Sequence, residues 1–282
     1  MNPTTFEEEI GNGRRYGFGS NWLRFLDLVD EARIERAMAD LRTALQVESL
    51  RGKTFLDIGS GSGLSSLAAS RLGATVTSFD YDTNSVQATN LLRTRFAAEG
   101  DSWTVRQGSV LDPQFMGELP PADVVYSWGV LHHTGCMHTA IRMAADKVRT
   151  GGLLCLALYR RTVFCELWKV EKRLFSRAPE MLRQILRTAW IAKTRLSFAL
   201  KRRDFTQMVR EYGRNSNGRG MDYYRDVDDW LGGYPYESIT PADCRAYVQS
   251  LGFELVRESI LGEGISWALA SGCDEWLFRH KS

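Results

Sequence analysis

Phe55-Leu56-Asp57-Ile58-Gly59-Ser60-Gly61-Ser62-Gly63 is the stretch on which the fold turns. A short, apolar, strand-like run leads into three glycines at alternate positions, and a helical pattern from Leu64 to Leu72 follows. Glycine lets a backbone turn tightly and approach a ligand with no Cβ in the way. In open α/β sheets the ligand crevice lies beyond the carboxyl ends of the strands. A dinucleotide-type G-x-G-x-x-G would need glycine at position 64 or 66, and the chain has Leu64 and Ser66 there. The pattern that stands is G-x-G-x-G.

Working outward, strands and helices alternate. Ala74 to Phe79 reads as strand, Thr83 to Ala98 as helix, Trp103 to Gln107 and Asp123 to Trp128 as strands, Met137 to Val148 as helix, and Leu153 to Tyr159 as strand. This alternation predicts an α/β fold, a doubly wound and mostly parallel sheet with helices on both faces. Upstream, apolar residues at three- and four-residue spacing predict one helix over 20–47, with Ser20 as its cap. Downstream, residues 163–212 read as helical, with Pro179 in the first turn of a second helix. Residues 213–236, rich in Gly, Asn, Asp and Tyr, read as an ordered loop. Thr240-Pro241-x-Asp243 starts a helix that runs to Leu251. Phe253 to Ile260 and Glu275 to His280 are expected to extend the sheet, one of them antiparallel. The expected organisation is a helical lid at 1–47, a core at 48–159 and 237–282, and a basic helical cap inserted at 160–236 that covers the ligand edge and forms the acceptor pocket.

The composition, 44% apolar and 25% charged over 282 residues, is that of a folded soluble protein. No apolar run reaches the roughly 18 residues of a membrane span. Glu7, Glu8 and Glu9 make a secretion signal an unsuitable reading of the N-terminus. Five scattered cysteines, with no C-x-x-C pair, point to reduced thiols in a cytoplasm and away from disulfides or a metal site.

Asp80, at the end of the second strand, lies 17 residues past Gly63. A carboxylate there can accept hydrogen bonds from both hydroxyls of a ribose. Tyr81 could pack on an adenine, and Gly108-Ser109-Val110 at the end of the third strand could address the adenine edge. On these residues, 53–159 resembles the class I S-adenosylmethionine-dependent methyltransferases. Asp57-x-Gly59-x-Gly61-x-Gly63 is similar to that family's first motif and Asp80 to its ribose-binding acid. Ser109 and Val110 fall in its adenine segment, and Asp123-Val-Val-Tyr-Ser-Trp-Gly-Val-Leu-His-His-Thr134 resembles its fourth-strand motif. Tyr16-Gly-Phe-Gly-Ser-Asn-Trp22 and Asp229-Trp-Leu-Gly-Gly-Tyr-Pro235 are similar to a bacterial branch grouped loosely with ubiquinone-type O-methyltransferases. The resemblance implies a Rossmann-like seven-stranded sheet, S-adenosyl-L-methionine as cofactor, and a cofactor set of Asp57, Gly59, Ser60, Gly61, Gly63, Asp80, Tyr81, Ser109, Val110, Trp128 and Tyr16.

Methyl transfer from a sulfonium is an in-line displacement, so the protein must chiefly align the acceptor and exclude water. Where a proton must leave, a base is needed. His132 and His133, just past the fourth strand, are the catalytic candidates, with His133 slightly favoured; the competing reading is that they shape the strand–helix junction. Tyr223, Tyr224, Trp230 and Tyr234, among acids and glycines, suit an acceptor pocket or a loop packed by its own aromatics. Tyr16-Gly-Phe-Gly is a lid over the cofactor or an ordinary terminus.

Charge is unevenly spread. Residues 159–214 hold 15 Lys/Arg and 5 Asp/Glu within a chain of net charge +2. Across 163–203 these cations interleave with large apolar residues. That pattern suits a peripheral membrane surface, a pocket for an anionic acceptor, or a cap that buries its apolar side on the sheet or on a second subunit of a homodimer. Nucleic acid is disfavoured, because the chain is nearly neutral and holds no RNA-binding module. The function expected is methyl transfer to a small molecule at oxygen. The alternatives are transfer to nitrogen or carbon, a non-catalytic S-adenosylmethionine-binding protein, or an oxidoreductase.

Overall fold

A computed structural model describes residues 6–98, 100–212, 223–260 and 272–281. Along the chain come helices α1 (Phe6–Gly11), α2 (Gly19–Phe25) and α3 (Glu31–Leu45), strand β1 (Thr54–Ile58), helix α4 (Leu64–Arg71), strand β2 (Thr75–Asp80) and helix α5 (Thr83–Phe96). Strand β3 (Trp103–Gln107), helix α6 (Pro113–Glu118), strand β4 (Ala122–Trp128), helix α7 (Met137–Ala145) and strand β5 (Val148–Tyr159) follow. Helices α8 (Cys165–Arg177), α9 (Glu180–Leu200), α10 (Phe205–Glu211), α11 (Tyr223–Gly232) and α12 (Pro241–Ser250) precede strands β6 (Phe253–Ser259) and β7 (Cys273–His280).

These elements form two compact units. The sheet unit is Phe18–Trp168 with Tyr236–Ser282, and the helical unit is Met1–Gly17 with Lys169–Pro235. The divisions differ from 47, 159 and 236 for a packing reason. Helix α2 lies on α5 and α3 on α4, so residues 18–47 bury their apolar sides within the sheet unit. Beyond β5, Arg160 pairs with the fully buried Asp274 at 2.6 Å.

The sheet has seven strands in the order β3-β2-β1-β4-β5-β7-β6. The first five are parallel, and β7 runs antiparallel to both β5 and β6. The strand β1 pairs with β2 on one side and β4 on the other, so the winding direction reverses at its carboxyl end. That reversal opens a crevice where the two loops part. Residues Phe55 to Ile58 are all buried, as a strand covered on both faces requires. Leu56, Ile58, Val125, Leu154, Leu156, Trp276 and Phe278 belong to its main apolar core.

Four local expectations change. The helix expected over 20–47 is two helices, parted by a 3₁₀ turn at Leu26–Leu28 and an extended Val29. The Asp30 carboxylate accepts the Arg33 amide at 2.8 Å and starts α3 afresh, so a local cap outweighs an apolar spacing that runs through both pieces. Ser20 is no cap: Phe18 holds that position, and the Gly19 amide donates to Asp82 Oδ2 at 2.7 Å. Pro179 stands one residue earlier than expected, in extended backbone at the N-cap of α9. In the segment read as a loop, 213–222 lies outside the described residues and 223–232 is the helix α11. Its buried Tyr223, Val227 and Leu231 recur every four residues, a period that the turn-forming composition concealed. The expected cap at Thr240 is present, its hydroxyl accepting the Asp243 amide at 3.1 Å.

The helical unit has its own core. Phe175, Tyr223, Val227 and Leu231 are buried, with Trp190, Ile191, Phe205 and Tyr212 packed on them. The Lys172 ammonium, wholly buried, donates to the Trp230 carbonyl and sits 3.9 Å from the Trp230 ring centre.

Gly19 is where α2 meets the start of α5. A Cβ there would lie 2.5 Å from Asp82 Oδ1 and 2.6 Å from both Asn84 Cβ and the Ser85 nitrogen. Gly19→Val should destabilise the protein by about 1–3 kcal/mol through overpacking. Gly117→Ala, with nothing within 4 Å of the new carbon, should be neutral or slightly stabilising. Urea midpoints for the two variants check this; equal midpoints would remove the clamp from the account of α2.

Candidate active site

The glycine loop leaves β1 and is held from three sides. Gly59 and Ser60 donate their amides to the Phe79 carbonyl at 2.8 and 3.1 Å. Gly59 and Gly61 have φ of +77° and +55°, a region that side chains disfavour. A Cβ on Gly59 would stand 2.4 Å from Val130 Cγ1, and one on Gly61 would stand 3.0 Å from Trp22 Cε2. The loop is therefore pressed between the β4 turn and the α2 helix. Behind it, the Ser60 hydroxyl bonds Thr89 at 2.9 Å, and Thr89 reaches the Gly61 carbonyl at 3.2 Å. The Ser60 side chain thus braces the loop, and Gly63 begins α4.

Asp57 is buried beneath this loop. It accepts from the Ser66 hydroxyl at 2.5 Å; Ser66 bonds Ser78 at 2.6 Å, and the Trp103 indole donates to Ser78 at 2.7 Å. Burial pushes the Asp57 carboxyl up to about 7; the Ser66 hydrogen bond opposes this and the Asp80 charge adds to it. Asp80, half-buried at the end of β2, accepts the Gly61 amide on Oδ2 and the Asp82 amide on Oδ1, both at 2.9 Å. Burial pushes it up to about 6 against those two hydrogen bonds. Asp82 caps α5 through the Asn84 amide at 2.9 Å while it holds Gly19.

Along the same strand ends, Tyr81 is half-buried, and its carbonyl accepts from Gln107 at 3.4 Å. The Ser109 hydroxyl accepts the Leu111 amide at 3.1 Å. Val110 is buried in the core with Phe79 and Phe115, so its side chain packs there. The Trp128 indole donates to Glu275 at 3.0 Å, which fixes it at the end of β4.

Both histidines follow β4 on a 3₁₀ turn, Leu131–His133. His132 is wholly buried. Its ring lies 3.9 Å from that of Tyr159, and Nδ1 accepts the Tyr159 amide at 3.3 Å. An accepting Nδ1 places the proton of the neutral ring on Nε2. The His132 carbonyl accepts the Glu237 amide at 2.9 Å, and Glu237 accepts the Met137 amide at 2.9 Å. His132 is thereby tied on three sides. His133 is 8% exposed, with its ring centre 5.1 Å from Phe18 and 5.3 Å from Tyr159. Tyr236 stacks 5.3 Å beyond Tyr159, and its hydroxyl lies 3.3 Å from Cys165 Sγ.

The sheet unit thus assembles Gly59, Ser60, Gly61, Gly63, Asp80, Tyr81, Ser109, Trp128, His132 and His133 along the carboxyl ends of β1 to β4. It also brings in Trp22, Asp82 and Tyr159, which sequence reasoning did not single out as site residues, and Phe18 from the Tyr16-Gly-Phe-Gly stretch expected as a lid. Trp22 lies in the same aromatic stretch, four residues past Phe18. Asp57 and Val110 are buried within the sheet unit, and the other expected residues belong to the helical unit. Tyr16 packs on Gly232 and 6.5 Å from Phe175; burial, then Asp229 and Asp228, push its phenol above the usual range. Tyr223 is buried among Phe205, Tyr212 and Tyr224, and Trp230 stacks on Trp190 at 4.4 Å, so both rings serve that unit's core. Tyr224 is exposed, and the Tyr234 carbonyl accepts the Tyr16 amide at 2.8 Å.

A sequence profile described as a methyltransferase domain matches residues 30–215. Among curated proteins, the chain is similar to a ubiquinone biosynthesis O-methyltransferase of Rhizobium leguminosarum bv. trifolii, 32% identical over 124 residues that cover 44% of this chain and 46% of that protein. It is also similar to a protein of the same name from a Methylobacterium species, 34% identical over 128 residues, 43% of this chain and 47% of that protein. The matched part spans about half the length of these relatives. Among solved structures, magnesium protoporphyrin IX methyltransferase from Synechocystis, with bound SAH, superposes with a TM-score of 0.54 at 14% identity, covering 93% of this chain and 94% of that one. An O-methyltransferase family protein from Burkholderia thailandensis superposes at 0.53 with 13% identity, covering 89% and 58%. These two share the fold.

The buried carboxyls make stability depend on pH. Asp57 at about 7 in the fold, against an ordinary 3.8, is favoured in its protonated form. Its contribution is full below about pH 4, falls as pH rises to about 7, and is constant above. Asp80 behaves alike up to about 6. Asp57→Asn should remove the upper part of this dependence, so the stability difference between wild type and variant should shift in the variant's favour between about pH 6 and 7. Urea unfolding of both proteins across that interval is the measurement; parallel curves would refute the assignment.

Proposed function

We propose that this chain, which belongs to the methyltransferase-domain family, binds S-adenosylmethionine at the carboxyl ends of β1, β2 and β3 and transfers its methyl group to an oxygen of a small molecule. The observation that carries this reading is Asp80, a half-buried carboxyl at the end of β2 that faces the amide of a left-handed glycine loop. The residues fit the cofactor. The Gly59–Gly63 loop brings backbone with left-handed φ at Gly59, Gly61 and Gly63 to the carboxyl end of β1, and Asp80 is an acceptor pair for ribose hydroxyls. Tyr81 and Ser109 stand at the neighbouring strand ends for the adenine, while Trp22 and Trp128 supply apolar walls. When bound, S-adenosylmethionine supplies an electrophilic methyl on a sulfonium.

The protein's own part is positioning, exclusion of water and the handling of one proton. Phe18, Tyr159 and Tyr236 surround the histidine turn with rings, which keeps water scarce there. His132, tied through its ring and its carbonyl, holds the turn in place. We assign His133 the proton of the acceptor hydroxyl, which a neutral imidazole can accept. Transfer to oxygen is supported by the names of the curated relatives.

Titration calorimetry with S-adenosylmethionine tests the cofactor site. Asp80→Ala should weaken binding by about 1.5–3 kcal/mol, the value of a charged hydrogen-bond partner. His133→Ala should leave that affinity intact and lower kcat on a panel of phenolic acceptors by roughly 100- to 10,000-fold. Unaltered cofactor affinity in Asp80→Ala would sink the site; unaltered kcat in His133→Ala would sink only the base.

A further inference from the structure

Helix α9 presents two unlike faces. Trp190 and Ile191 turn into the core of the helical unit, and Arg187 is held by Asp228. The opposite face carries Met181, Leu182, Ile185, Leu186, Leu196 and Leu200, exposed by 38% to 77%. Ala189, Ala192 and Ala199 fall on that same face at helical spacing. Over 21 residues, about 31 Å of helix, its single charged member is Lys193. An apolar stripe of this length facing outward is costly in water and marks a contact surface.

The surrounding charge says what the contact is. Residues 163–203 hold 11 Lys/Arg against 3 Asp/Glu. Lys201, Arg202 and Arg203 are exposed at the end of α9, and Arg173 beside Val170 and Leu174 is exposed on α8. Two copies of this surface would bring like charges together, whereas an anionic lipid headgroup layer neutralises them. Lys193 can extend its ammonium to headgroups while its stem stays among apolar neighbours. No helix of the described residues is long and apolar enough to cross a membrane, so the helix would lie in the interface plane. We propose that the outward face of α9 docks the protein on an anionic lipid bilayer.

Co-sedimentation of the full chain with vesicles tests this. One set is phosphatidylcholine alone and the other holds roughly one third phosphatidylglycerol. Partitioning onto the anionic set should be at least about tenfold stronger and should weaken with added salt. Ile185→Glu with Leu196→Glu, both on exposed positions and checked for folding by circular dichroism, should reduce it at least about tenfold. Lys201→Glu with Arg203→Glu should lower binding to the anionic set alone. Failure to bind either vesicle, equal binding to both, or a dimer that Ile185→Glu with Leu196→Glu converts to monomer would each overturn the proposal, the last by assigning the face to a second copy.

Discussion

The backbone between Ile58 and Leu64 must turn through left-handed conformations while two of its amides stay bonded to the Phe79 carbonyl. The rest of the site depends on that constraint. Because Gly59 carries no Cβ, the Val130 side chain can close on the loop from the β4 side. Because Gly61 carries none, Trp22 can do the same from α2, and the Gly61 amide is aimed at Asp80. Side chains at these positions would force the loop away from the strands that feed it, and the carboxyl at the end of β2 would lose the amide that orients it.

Beneath the loop, the fold spends polar groups in its interior. Asp57, Ser66, Ser78 and Trp103 form one hydrogen-bonded chain across α4, β1, β2 and β3. A buried carboxyl without such partners would cost several kcal/mol. With them it fixes the register of β1 against β2, where Asp57 stands opposite Ser78. Burial raises both Asp57 and Asp80 toward the neutral range, with the Asp80 charge adding to the rise at Asp57 and the Asp82 charge to the rise at Asp80. Asp82 extends the same economy to the N-terminal side: one carboxylate caps α5 and anchors α2. In this way a segment far ahead of β1 in sequence comes to border the glycine loop.

The helical unit is built on a different principle. It buries aromatic rings against one another, with Lys172 enclosed over Trp230 and Tyr223 packed among three other rings. Helix α9 closes this core with one side and leaves the other apolar and outward-facing. Large side chains exposed on a helix whose inner face is already satisfied contribute nothing to that core, so their occurrence speaks for a surface that meets something other than water.

The parallel sheet, the glycine loop at the end of β1 and the place of Asp80 at the end of β2 were all legible in the sequence, because each is local. A short buried strand, a glycine triplet and an acid at a strand end each state their conformation within a few residues. The capped start at Thr240 was legible for the same reason. What the tertiary structure alone decided concerns residues whose partners are distant in sequence. Trp22 and Phe18 join the site only because Asp82, more than 60 residues on, clamps Gly19. His132 and His133 look equivalent in sequence and part company through Tyr159 and Glu237. Tyr223 and Trp230 have a composition that suits a pocket, yet they lie in the packing of their own unit. The break at Asp30 and the helix at 223–232 were hidden because apolar spacing reports which side of a chain is buried and says little about where a helix is interrupted. Residue type records the chemistry a side chain can perform, but the contacts that assign the task form only when separate elements pack.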